Sequence, residues 1–283
     1  MEKNNYLNQK ISLKIVGSSM EEKDGFNLHY LINSLNGIND IIEKTYLYSY
    51  DKNRISDEDL EKLIVTMTLP KKGSFKTDII ISIRENIIPL LPLIAENGVT
   101  LWKAVKESYE FLKLLIDTRK EGFDVQITQS GDGIIVTGSN NTITINNNIP
   151  NLAKQLAPSF QKMANNVNGQ DITEIILDDK NGENDIVLTN EDKERFKKQT
   201  LTSDVSETLQ GKIVSADSMT FKGKIETQDG IVSFRVVDEL KDESRFKEIF
   251  LNDITVECRK KFEINPSKEE IIRVTEIIVE KVY

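Results

Sequence analysis

One cysteine and one histidine in 283 residues leave several kinds of chemistry without material. Cys258 has no second thiol with which to form a disulfide inside the chain, which suits a reducing compartment. With His29 as the only imidazole, a zinc cluster of Cys/His ligands or a Cys-His nucleophile pair has almost no material to be built from. No catalytic residue, cofactor or metal is assigned on these grounds. Long apolar runs are missing too. The most apolar stretch, residues 87–95 (IIPLLPLIA), holds Pro89 and Pro92 and is far shorter than the roughly 20 residues that cross a bilayer. Stable membrane insertion is not expected. The opening MEKNNYLNQKIS has no apolar segment of the kind export requires, so a cytoplasmic location is expected. Positive charge is in deficit: 37 Lys+Arg stand against 46 Asp+Glu, a formal net charge of -9, which repels polyphosphates at long range and disfavours nucleic acid as a partner. The 14 Gly, 6 Pro and 38% hydrophobic residues exclude a collagen-like or largely disordered chain.

What is present departs most from ordinary globular sequence at residues 124–148, DVQITQSGDGIIVTGSNNTITINNN. Short β-branched runs at 125–127, 134–137 and 142–145 alternate apolar and polar positions between turn formers, so each predicts a strand with one buried face. A ribbon of two or three such strands is marginal in water and must lie on another layer or on copies of itself. The turn Ser130-Gly131-Asp132-Gly133 lacks the lysine and the following helix of a phosphate-binding loop and predicts a β turn. Asp124 and Asp132 do not stand in the glycine-rich repeat of calcium-binding nonapeptides. Asn140, Asn141, Asn146, Asn147 and Asn148 admit two readings, side-chain ladders between identical strands or plain turn chemistry.

Ahead of this stretch, ISLKIV at 11–16 reads as a strand stopped by Gly17. From Leu28, the residues Leu31, Ile32, Leu35, Ile38, Ile41 and Ile42 recur at helical spacing, although Asn36-Gly37 interrupts the pattern. Strands at 63–69 and 75–83, joined by a turn with Pro70, complete an expected β-α-β-β core over residues 8–84. Residues 85–120 predict helix in two pieces. In the second, Leu101, Trp102, Val105, Tyr109, Leu112, Leu115 and Ile116 form a stripe opposite Lys103, Lys106, Glu107, Glu110 and Lys113, expected to close on the core or on another copy. After the ribbon come a helix at 151–164, a short strand at 172–177 and a charged helix opened by Thr189 and Asp192 as a capping box. Residues 165–203 read as connecting material.

From Thr208 the pattern is of strands, at 209–216, 219–227, 231–237, 254–258 and 271–282, with a short helix near 244–250 and a hairpin signal at Gln228-Asp229-Gly230. Five strands in this space predict a small β-barrel, whose closure removes exposed edges. Arg259, Lys260 and Lys261 beside Phe262 are the candidate nucleic-acid contact there. Against that, residues 204–283 hold 17 acidic and 13 basic side chains, which favours a solvated strand end.

The fold class is therefore α+β: an α/β domain at 1–84, a helical segment at 85–122, a stacked-strand assembly segment at 123–148, a helical connector at 149–203 and a five-stranded β-barrel at 204–283. The succession SLKIVG, GSFKTDIIISI, WKAVKESYEFLKLL, QITQSGDGIIVTGSNNTITIN and GKIVSADSMTFKGKI resembles a group of uncharacterised bacterial proteins encoded in variable genomic regions, where anti-phage functions are common. The resemblance implies no catalytic residues and suggests a setting in defence against phage. The expected activity is that of a non-enzymatic, homo-oligomeric scaffold, sensor or interaction protein, with a protein partner possible in addition. Its expected interface is Val125, Ile127, Ile135, Asn140, Asn141, Ile143 and Ile145 on the ribbon with Trp102, Val105 and Leu112 on the helix. A virion or tail-associated structural protein, and a ligand- or nucleic-acid-binding protein acting through the barrel, are the alternatives.

Overall fold

Alternating aliphatic residues in β1 (Tyr6–Val16) and β5 (Phe75–Arg84) pair these strands antiparallel, setting Ile11 opposite Ile79, Leu13 opposite Thr77 and Ile15 opposite Phe75 on one buried face. The computed structural model describes residues 6–21, 23, 25–70, 75–84, 100–131, 133–138, 141–179, 186–243, 246, 252–268 and 270–283. The apolar stretch 87–95 and Asn140 lie outside them.

β1 and β5 form the middle of a five-stranded sheet in which β4 (Leu63–Met67) flanks β5, while β9 (Glu174–Asp178) and β10 (Ile186–Leu188) extend it from β1; β2 (Met20–Glu21) and β3 (Gly25–Phe26) pair separately as a short hairpin. Residues 165–203, expected to be connecting material, thus complete the first sheet. Ile175 and Leu177 of β9 and Ile186 and Leu188 of β10 are all buried there, and the pairing joins parts of the chain that local periodicity cannot connect.

Five helices are described: α1 (Leu28–Ser49), α2 (Asp57–Lys62), α3 (Leu101–Lys120), α4 (Ile149–Ala164) and α5 (Asn190–Phe196). α4 packs against both α1 and α3. The glycine inside α1 has a reason: a Cβ on Gly37 would lie 2.2 Å from Met163 Cγ, so only glycine lets α4 come this close. The anticipated apolar face of α1 is buried from Ile38 onward, whereas Ile32 stays 45% exposed.

Between α3 and α4 runs the ribbon, an antiparallel sheet of β6 (Gln126–Ser130), β7 (Gly133–Gly138) and β8 (Asn141–Asn146). It rests on α3 through β7 and β8, where Ile134, Val136 and Ile145 are buried. At Gly138 the two layers nearly touch, since a Cβ there would sit 2.2 Å from Thr118 Oγ1.

The C-terminal strands are β11 (Gln199–Thr202), β12 (Glu207–Asp217), β13 (Lys222–Thr227), β14 (Gly230–Val236), β15 (Asp253–Ile264) and β16 (Ile272–Val282). The sheet closes in the order β12-β13-β14-β16-β15 and back to β12, with β14 and β16 parallel and the other pairs antiparallel; β11 is added outside β15. This is the connectivity of an OB-type Greek-key barrel. Its interior is filled by Ile213, Ile225, Phe234, Val256, Cys258, Ile277 and Val279. One end is joined to the rest of the molecule, because Phe262, Ile264 and Ile271 belong to the larger core that includes the first sheet and α1, α3 and α4.

The contact between α3 and the ribbon is testable. Gly138→Ala should lower stability by about 1–3 kcal/mol in urea unfolding, the usual cost of overpacking. Adding Thr118→Ala should restore part of the loss, so that the two effects are non-additive.

Candidate functional site

Across the ribbon the cross-strand rows Ile127–Val136–Ile143 and Gln129–Ile134–Ile145 face α3, because successive residues of a strand point to opposite sides. In both rows the member on β6 is the exposed one. Val136, Ile134 and Ile145 are enclosed and Ile143 is half-buried, while Ile127 on the outermost strand is 53% exposed. The sheet is wider than the helix beneath it. Phe123 and Val125 precede Ile127 at alternate positions; Phe123 is also 53% exposed and Val125 half-buried. The opposite face carries Gln126, Thr128, Ser130, Thr137, Thr142 and Thr144 around a half-buried Ile135. Thr137 and Thr142 hydroxyls lie 3.2 Å apart across the strands.

The asparagines serve local geometry. Asn141 Oδ1 accepts from the backbone N–H of Thr142 at 2.8 Å, and Asn146 Oδ1 from that of Asn148 at 3.0 Å. Gln129 donates to Asn147 Oδ1 at 3.3 Å. The β6–β7 pairing runs to Ser130 opposite Gly133, with Gly131 at φ 57; Asp132, in the expected β turn, lies outside the described residues.

The expected interface residues on α3 are placed elsewhere. Trp102, Val105 and Leu112 are buried in the chain's own core, as is Ile145, and present no surface to a second copy. An amphipathic stripe shows that a helix is covered but not by what. α3 is also buried on a second side through Ala104, Ser108, Phe111, Leu114 and Thr118. Within its polar face, burial raises the carboxyl pKa values of Glu107 and Glu110 above the usual carboxylate range.

In the barrel, β15 continues through Arg259, Lys260 and Lys261 to Ile264 because Phe262 and Ile264 keep alternating inward. The three cations therefore sit within a strand rather than at its end. Each meets a carboxylate: Arg259 with Glu280 at 2.6 Å, Lys260 with Glu207 at 2.8 Å and Lys261 with Glu276 at 3.7 Å. An open groove of about 690 Å³ crosses the barrel's outer wall at Gln210, Lys212, Glu226, Gln228, Asp253 and Thr255, with no aromatic side chain in its lining among the described residues. Cys258 is fully buried, and burial, with Glu207 and Glu280 nearby, pushes its thiol pKa up to about 11. His29 is exposed and bonded to Asn33 at 3.1 Å.

Three polar clusters bring together residue types that catalytic sites use. Lys44 Nζ donates to Ser159 Oγ at 2.8 Å, and Ser159 in turn donates to Asp40, an arrangement with the composition of a serine-lysine pair. Ser159 has no exposed area, so the contact ties α1 to α4. Arg195 joins Asp117 at 2.8 Å, Glu191 at 2.6 Å and Asp192, and Tyr109 Oη lies 2.9 Å from Asp192 Oδ1, fastening α5 to α3. Asp192 also accepts from Thr189 N–H at 2.9 Å, the capping box anticipated from the sequence. Asp59, nearly fully buried, accepts from Tyr46 Oη at 3.0 Å, Ser56 Oγ at 2.7 Å, Ser56 N–H at 3.1 Å and Lys52. Among the described residues no group of three or more His, Cys, Asp or Glu side chains could hold a metal ion, and no helix is long and apolar enough to cross a membrane.

No protein-family model, curated protein or solved structure matches the chain.

Burial alone would raise the Asp59 pKa, but Lys52, Ser56 and Tyr46 together hold it well below the usual carboxylate range. A lowered folded-state pKa contributes stability that is present above the unfolded value of about 3.9 and lost as pH falls through the folded one. Asp59→Asn should therefore cost about 1–3 kcal/mol at neutral pH. It should also flatten the decline of stability between about pH 5 and about pH 2, measured by urea unfolding at successive pH values.

Proposed function

We propose that this chain is a non-enzymatic scaffold, sensor or interaction protein that works as a homo-oligomer, with the ribbon as its assembly element. One observation carries the reading: a sheet of three strands presents an outermost strand that is exposed at all five residues and bears an apolar side chain, Ile127, on the face meant for burial. The buried polar clusters support it from the other side, since their groups are already paired within the chain and serve to fasten helices. The barrel cations Arg259, Lys260 and Lys261 are likewise engaged with carboxylates, which weakens a reading through nucleic acid. A place in anti-phage defence is the setting that the sequence resemblance supplies.

Self-association is tested by the mass of the purified chain in solution across micromolar concentrations. A mass that rises toward a multiple of the single chain is the expected result. A single-chain mass throughout that range would remove the basis of the proposal.

A further inference from the structure

We propose that two copies of this chain join through β6 across a two-fold axis normal to the ribbon, pairing antiparallel with Gln126 opposite Gln126. The inference rests on the self-association reading above and names its partner and register.

β6 hydrogen-bonds to β7 on one side and has no strand on the other among the described residues, so a row of backbone donors and acceptors is left facing outward. The other outer strands are blunted. β2 and β3 have two residues each, β10 has three, β11 has four and follows Lys197 and Lys198, and β4 leads into Pro70-Lys71-Lys72. The barrel strands close on one another. β6 carries none of these protections: from Val125 to Gly131 there is no charge, no proline and no bulge. β8, the opposite border of the ribbon, is also uncharged, but its inward Ile145 is already buried and Ile143 half-buried.

Symmetry limits the registers. A two-fold axis normal to the sheet keeps every side chain on its own face, and paired residues must share a face, so the axis lies midway between one residue and its copy. Centred on Asp124, it would oppose two carboxylates. Centred on Val125, it would carry the partner strand past the turn at Gly122, where the chain leaves α3 with φ 88. Centred on Ile127, it would make a single apolar pair, Ile127 with its copy, and set Val125 against Gln129; centred on Thr128, it would set Val125 against Gly131 and leave Phe123 outside the pair. Centred on Gln126, it sets Val125 against Ile127 twice, Phe123 beside Gln129, and each Asp124 against a Thr128 hydroxyl. Both α3 helices then lie on one side of a continuous six-stranded sheet, and the exposed Ile127 of each copy is covered by Val125 of the other. A contact built on one strand pair belongs to the small end of specific interfaces, so the association is reversible.

Directly opposed residues of antiparallel strands lie close enough for a disulfide. Gln126→Cys should form a covalent dimer under mild oxidation, and the native Cys258, fully buried, does not compete. Ile127→Lys should raise the dissociation constant about tenfold or more, equivalent to about 1.4 kcal/mol, without lowering the melting temperature, because Ile127 is exposed in the single chain. Covalent dimer from Gln126→Cys together with loss of assembly in Ile127→Lys supports the pairing. Assembly by the wild type that persists in Ile127→Lys, or that yields no Gln126→Cys dimer, overturns the pairing while self-association stands. A wild type that is single-chain at all concentrations overturns both.

Discussion

Helix α3 is enclosed from two directions, and the rest of the molecule depends on that. Its stripe of Leu101, Trp102, Val105, Leu112 and Ile116 is buried in the core shared with the first sheet, α1 and α4, while the ribbon rests on it through β7 and β8. A three-stranded ribbon would be marginal by itself, so α3 is what makes it a fixed part of the fold. The near-contact of Gly138 with Thr118 marks how closely the two layers approach. α4, which follows the ribbon directly, turns back against α1 and α3 and holds both ends of the excursion.

This arrangement concentrates what the molecule has to offer other molecules. The barrel closes its strands, the larger core takes up the helix stripes, and buried charges such as Asp59 and Arg195 are matched inside the chain. Isolated apolar side chains remain on the surface, as they do on most proteins. At β6, however, the exposed apolar Ile127 coincides with a backbone edge that no strand covers among the described residues and with an absence of charge. That coincidence is the ground on which self-association is proposed. An OB-type barrel alone does not specify a ligand, since one fold hosts many functions.

Much of the fold was legible because its signals are local. Alternation in the ribbon, the pairing of Ser130 with Gly133, the stripe of α3, the Thr189–Asp192 cap and the five barrel strands all depend on residues within a few positions of one another. What was not legible depends on distant parts of the chain. β9 and β10 join the first sheet through a pairing with β1, and the carboxylates that meet Arg259, Lys260 and Lys261 come from β12 and β16. The glycine at 37 looked like an interruption until Met163 was placed against it. The interface reading shows the same division. Ile127 is exposed and Val125 half-buried, and Phe123 extends their alternation by one step, but Trp102, Val105 and Leu112 gave no sign that their cover comes from their own chain.

The most direct test of the central claim, that the ribbon is held by α3 on one face and completed by a second copy at one edge, is amide hydrogen exchange followed against protein concentration. Exchange reports local opening residue by residue. Amides of β7, bonded on both sides within the chain, should be protected to the same degree at every concentration. Amides of β6 that face away from β7 should exchange quickly in dilute solution and become protected as concentration rises. Rapid exchange of those amides at every concentration would contradict the account.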